Sequence, residues 1–155
     1  MGTAQKLRDN IKDLLDSIQS GGSSIFSEIA TEPKFAFDGY PACFIAPSGN
    51  ENDFQSTQDN MRIYAFKIWC FQEFEVTSIG DAYNNLLDAV DNVINEFDKQ
   101  ESPESAREMA TGITGPYTLA AVQAAPGRFA SDEVEKLLAV EVTIKCKILV
   151  DLTQL

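Results

Sequence analysis

Residues 138–152 carry the pattern that most restricts the fold. Leu138, Val140, Val142, Ile144, Cys146, Ile148 and Val150 alternate with Ala139, Glu141, Thr143, Lys145, Lys147 and Asp151, broken only by Leu149. Period-two alternation sends successive side chains to opposite faces, so the segment predicts one long strand with an apolar face to bury. About 12 residues at ~3.3 Å each span roughly 40 Å, twice an ordinary strand. A strand that long is expected to outrun its own domain, leaving part of it without a partner in the chain.

Two amphipathic helices can cover the apolar face. In residues 3–20, Leu7, Ile11, Leu14, Leu15 and Ile18 recur at helical spacing, with Lys6, Arg8, Asp9, Lys12, Asp13 and Asp16 between them. Thr3 is placed to cap the start of this helix, and Gly21 and Gly22 to stop it. In residues 79–99, Ala82, Leu86, Leu87, Val90, Val93, Ile94 and Phe97 form one side, while Asp81, Asn85, Asp88, Asp91, Asn92 and Asn95 lie largely on the other. Ser78 and Asp81 have the spacing of a capping box.

The remaining apolar runs read as strands. Residues 24–46 predict a hairpin, with turn chemistry at Glu32-Pro33-Lys34 and Asp38-Gly39. Residues 61–76, MRIYAFKIWCFQEFEV, have apolar residues on both sides of the period and predict a central strand covered on both faces. Residues 117–124 pair with the long closing strand, joined to it by APGRFASDEVEK. The polar stretch 48–60 and the segment 100–116 read as exposed loops, the second with one helical turn around 104–110. The class expected is α+β: an antiparallel or mixed sheet of about four or five strands with two amphipathic helices packed on it, as a single domain spanning 1–155.

Charge and composition narrow the function. Twelve basic residues against 24 acidic ones give a formal charge of −12, which disfavours direct binding to nucleic acid or anionic membrane. There is no histidine, so the commonest general base and metal ligand is missing. Cys43, Cys70 and Cys146 are far apart in strand-like apolar runs and read as inert, reduced core thiols. Asp88 and Asp91, three apart on the second helix, could form a carboxylate pair, but a solvated helix face explains them. Glu73 and Glu75, two apart at a strand end, are equally ordinary. TGITGP at 111–116 ends in proline rather than opening a helix, so no phosphate cradle is expected. No catalytic, cofactor-binding or metal-binding residue is assigned, and no enzyme activity is expected. The N-terminal segment lacks the apolar run of a signal peptide, and no stretch approaches the ~20 apolar residues of a membrane span. The cytoplasm is the expected address.

Element order and local sequence resemble a known family. Tyr40-Pro41 entering a strand in GYPACFIAPS, Asn60-Met61-Arg62-Ile63-Tyr64 opening the next, and Val90-Asp91 with Phe97-Asp98 in LLDAVDNVINEFD resemble the tail terminator proteins of tailed bacteriophages, also called tail completion or head-tail joining proteins. The resemblance spans nearly the whole chain. It implies a structural virion protein at the head-proximal end of the tail, forming a homo-oligomeric ring, a hexamer, that caps the tail tube. It also implies two further partners, the tail tube protein and the head-tail connector or stopper protein, and no active site. Within this picture the long strand offers its free edge to a neighbour, and the loops 48–60 and 101–116 face the axial partners, so deleting 103–114 is expected to leave the subunit folded. The alternative is an acidic, DNA-mimic-like inhibitor or adaptor that binds a basic protein.

Overall fold

A computed structural model describes residues 2–34, 36–54, 59–101 and 108–155, with the backbone alone described at 49–54, 59 and 101. The chain opens with helix α1 (Thr3–Ser17), which buries Leu7, Ile11, Leu14 and Leu15 and leaves Lys12, Asp13 and Asp16 in solvent. Each fully buried Leu or Ile contributes about 1.5–3 kcal/mol, so this stripe fixes the helix against the sheet. Gly2 occupies the cap position and Thr3 lies inside the helix, so the expected Thr3 cap does not form. Nor do the glycines stop the helix. It ends at Ser17, and Gly21 (φ 65°) and Gly22 (φ 87°) turn the small antiparallel pair β1 (Gln19–Ser20) and β2 (Ser23–Ser24). A two-residue hairpin turn with positive φ at both positions demands glycine more strongly than a helix end does.

The main sheet contains β3 (Glu28–Ala30), β4 (Ala42–Phe54), β5 (Asp59–Glu73), β6 (Tyr117–Asp132) and β7 (Leu137–Asp151), in the spatial order β3-β4-β5-β7-β6. With the helices it makes the α+β fold expected, mostly antiparallel with one parallel pair. That pair corrects the predicted hairpin at 24–46: β3 runs parallel to β4, Glu28 facing Ala42 and Ala30 facing Phe44. A parallel pair cannot be closed by a tight turn. Residues 31–41 therefore make a longer crossover, which includes a cis Tyr40-Pro41 peptide.

Two further expectations change for one reason: ladder hydrogen bonds belong to the backbone, and polar side chains do not forbid them. The polar stretch 48–60 is largely strand, β4 running to Phe54 and β5 starting at Asp59, with residues 55–58 outside those described. Likewise β6 continues through Pro126 and Gly127 to Asp132, which an outermost strand tolerates at register shifts between Leu119 and Ala121 and between Pro126 and Phe129. Consequently β7 has no unpartnered length. It pairs with β5 from Leu137 to Asp151 and with β6 from Leu137 to Val150. Among the described residues the free edges belong to β6, to the outer side of β3 and to the part of β4 beyond β3. The central position predicted for 61–76 holds for β5, which lies between β4 and β7, but its expected cover on both faces does not: Tyr64, Phe66, Ile68 and Cys70 are buried under the helices, whereas Ile63, Ala65, Lys67, Trp69 and Phe71 on the other face are only half-buried.

Helix α2 (Ile79–Asp98) packs on β5, β6 and β7, while α1 lies near β3 and β4. Between the helices and the sheet lies one core, including Leu86, Val93 and Phe97 from α2, Ile45, Ile68 and Cys70 from the middle strands, and Val142, Ile144, Cys146 and Ile148 from β7. Ser78 makes no side-chain cap bond, so the expected capping box is absent, although Asp81 stands in the first turn, where the helix dipole favours an acid.

Part of the segment read as a loop at 100–116 belongs to the core. Met109, in a short 3-10 turn (Glu108–Ala110), is fully buried. Asn10 Nδ2 donates to the Met109 carbonyl at 3.0 Å and to the Thr111 carbonyl at 2.8 Å, and the Met109 amide donates to Gln100 Oε1 at 3.1 Å. Deleting 103–114 would therefore remove a core side chain, contrary to the expectation that the subunit would fold without it. Residues 102–107, most of the predicted turn at 104–110, lie outside the described residues.

Candidate functional site

Both helices cover the same face of the sheet, so the opposite face is where the chain leaves chemistry open. Strand alternation and register assign that face: Phe44 and Ala46 on β4, Ile63, Ala65, Lys67, Trp69 and Phe71 on β5, and Ala139, Glu141, Thr143, Lys145 and Lys147 on β7. The aromatic and aliphatic members of this set are half-buried, and among the described residues no helix lies over them. Only the crossover 31–41 folds onto one end, where the Phe37 ring sits 5.4 Å from Phe71 and 6.0 Å, edge-on, from Tyr40.

The most organised group on this face centres on Glu141, a carboxylate buried although it belongs to the outward set of β7. Lys67 Nζ approaches Glu141 Oε2 at 3.6 Å, and Arg128 Nη2 approaches the same oxygen at 3.3 Å. The Arg128 guanidinium also lies 5.9 Å from the centre of the Trp69 ring. Two cations offset the cost of burying one carboxylate, and the arginine gains a further contact with the indole. The register shift between Pro126 and Phe129 makes the cluster possible. A Cβ added at Gly127 would stand 2.7 Å from Glu141 Oε1 and 3.0 Å from the Glu141 carbonyl oxygen, so only glycine permits the approach. The group is a clamp between β6, β7 and β5. It contains no thiol or hydroxyl, and its one carboxylate and its lysine amine are already paired with each other.

On the helix side, Ile79, Tyr83 and Leu87 are 44%, 40% and 38% exposed, and Phe129, 50% exposed, meets Tyr83 edge-on at 5.4 Å. At i, i+4 and i+8 they form a continuous apolar stripe along α2 beside the free edge of β6. This corrects the assignment of Leu87 to the buried side. Its neighbour Leu86 is fully buried, and residue 87, a further 100° round the helix, falls at the edge of the buried face.

The sequence candidates do not converge. Cys43 and Cys70 face each other across β4 and β5, and Cys146 is on β7; all three are free and buried. Burial pushes the Cys70 and Cys146 thiols up to about 12, and burial with the nearby Cys70 and Asp16 pushes Cys43 well above its usual range. Thiolate chemistry near neutral pH is thereby disfavoured. Asp88 and Asp91 are both exposed on α2, as are Glu73 and Glu75 near the end of β5. Glu73, Glu75, Asp81 and Glu135 with Lys136 line an open groove of about 790 Å³ between the end of β5, the start of α2 and the β6-β7 turn. Among the described residues no three histidine, cysteine, aspartate or glutamate side chains gather as metal ligands, and no helix is long and apolar enough to cross a membrane.

The Glu141 clamp and the α2 stripe were not singled out from the sequence. Glu141 interrupts an otherwise Ala, Thr and Lys outward set and could have been noticed, but its partners depend on a strand shift at Gly127 that periodicity does not show. The chain matches no protein-family model, and no curated protein matches it.

Proposed function

We propose that this chain is a structural subunit of a tailed-bacteriophage virion, a tail terminator that closes into a six-fold ring, caps the tail tube and presents its other end to the head connector. It works by shape and contact and carries no catalysis. The observation that supports this most directly is the open sheet face. A main sheet with both helices on one side leaves a broad, half-apolar surface that the described residues do not cover, as a subunit completed by neighbours requires. The free edges of β6 and of outer β4 are a second resource of the same kind. The local sequence and the order of helices and strands that resemble the tail terminators support this identity for the assembly.

Imaging of assembled virions, with labelled protein located at the head-tail junction, tests this together with native mass spectrometry of the isolated chain. A six-fold ring on the tail tube is expected. A chain absent from virions and monomeric in both settings would sink the proposal. An acidic inhibitor is the second reading, favoured by the absence of any lysine or arginine from α2 beside its exposed Asp81, Asp88, Asp91 and Asp98. It requires a one-to-one complex with a basic protein and no ring.

A further inference from the structure

The two broad surfaces of the subunit differ in charge and in relief, and each suits the other. Among the described side chains, the centre of the open sheet face carries Lys67, Lys145 and Lys147, with Arg128 beside them, and Glu141, which is already paired, while the acids Glu73 and Asp151 lie at its two ends. Among these cations Ala46, Ala65, Ala121 and Ala139 leave low ground beside the half-buried Phe44, Ile63 and Trp69. The helix side is the reverse. Helix α2 bears Asp81, Asp88, Asp91, Glu96 and Asp98 with no basic residue before its C-cap Lys99, which pairs with Glu96, and its stripe of Ile79, Tyr83 and Leu87, joined by Phe129, is partly exposed. At 100° per residue, Asp91 and Asp98 border that stripe on its solvent side.

We propose that the open sheet face receives the α2 face of a second copy of this chain, front to back, with Tyr83, Leu87 and Phe129 over the alanines and Asp91 and Asp98 near Lys145 and Lys147. Charge selects this pairing. Sheet against sheet would oppose Lys145 and Lys147 to their own kind, and helix against helix would oppose Asp88 and Asp91 to theirs. A polyanion on the sheet face would have to overcome the net charge of −12. Because the two surfaces lie on opposite sides of one subunit, every copy uses both. Such a heterologous contact propagates from copy to copy and makes a ring when the rotation closes. The inference rests on the ring reading above and names the surfaces that would build the ring.

Cross-linking of the full chain tests it, because the three native thiols are buried and the wild type serves as a silent control. In a chain carrying both Asp91→Cys and Lys145→Cys, a short bis-maleimide is expected to produce a ladder of dimers, trimers and larger species, in free protein or in assembled tails. Each single variant is expected to give none. Lys145→Glu with Lys147→Glu should weaken self-association about tenfold, and adding Asp91→Lys with Asp98→Lys to the same chain should restore it. Dimers from Lys145→Cys alone would mean a sheet-to-sheet contact and overturn the proposal. So would the absence of a ladder in both settings, or binding of a single-stranded oligonucleotide that Lys145→Glu with Lys147→Glu abolishes. A six-fold ring imaged on tails without a ladder removes this contact alone, whereas no ring anywhere removes the ring reading as well.

Discussion

Asn10→Ala is expected to destabilise the fold by about 1–3 kcal/mol, although the position is on a helix and alanine is the better helix former. Asn10 is 7% exposed and its side-chain amide donates to two carbonyls, Met109 at 3.0 Å and Thr111 at 2.8 Å. Met109 is fully buried, so its carbonyl would lose this donor with little water to replace it, at a cost of about 1–3 kcal/mol. Thr111 is exposed and water can take over there, which adds about 0.5 kcal/mol. Against this, alanine gains about 0.5 kcal/mol of helix propensity, so the lost hydrogen bonds win. For a domain of this size each kcal/mol moves the melting temperature by about 2–4 °C, giving a fall of about 2–12 °C by calorimetry. Amide exchange at Met109 should accelerate beyond that global effect.

Asn10→Asp sharpens the test. Its carboxylate would face two carbonyl oxygens, which raises its folded pKa above the unfolded value. The folded state then binds more protons between the two values, and stability falls as pH rises through them. The Asp variant should therefore be the worse of the two at neutral pH and recover in acid, while the Ala variant shows no such trend. A melting temperature for Asn10→Ala within about 1 °C of wild type, or the same pH profile for both variants, would refute the clasp.

The remaining predictions concern other parts of the molecule. Leu86→Asp should prevent cooperative folding, at a cost above about 4 kcal/mol, because Leu86 is fully buried between α2 and the sheet; Asp88→Asn, on the exposed face, should stay within about 0.5 kcal/mol in a urea melt. Gly127→Ala should cost about 1–3 kcal/mol, and adding Glu141→Ala should recover only part of it, because the Glu141 backbone oxygen still blocks the new Cβ. An aromatic disulfide reagent should leave Cys43, Cys70 and Cys146 unmodified until denaturant is added, since burial suppresses their thiolates; rapid labelling of the native protein would contradict the buried placement. Hydrogen bonds from the Thr153 hydroxyl and amide and from Gln154 hold the Asp151 carboxyl below its usual value. Its contribution to the C-terminal turn is thus present above the ordinary carboxylate range and lost as pH falls through the lowered value, which Thr153 amide exchange should report.

What could be read from the sequence was what repeats. Leu7, Ile11, Leu14 and Leu15 announce a helix, and Val140 to Val150 announce a strand, because burial of a face imposes a period and the period survives in one dimension. Partners do not repeat. Whether residues 28–30 run parallel or antiparallel to 42–44 depends on how far 31–41 travel, and nothing in SEIATEPKFAFDGYPACF states that distance. Apparent breakers misled in the same way. Pro126 and Gly127 suggest a connection between strands, yet they sit within β6 because its outer edge needs no partner and its shift opens room for Glu141. The candidate site suffered most, since an uncovered face is defined by what does not pack on it, a property of the arrangement and of no single segment.

The central place of β7 also sets the order in which the molecule can be made. It is the last strand in sequence, yet it lies between β5 and β6 and supplies Leu138, Val142, Ile144, Cys146 and Ile148 to the core. On a translating ribosome, β5 and β6 emerge with no strand between them, and each waits with an unsatisfied edge while β7 is still in the exit tunnel. The β6-β7 hairpin can form as soon as residue 151 is free, because its partners are close in sequence, whereas docking onto β5 must close a far longer loop. Nascent chains stalled before residue 137 should therefore be the species that chaperones hold, and release of the last strand the step that ends their dependence.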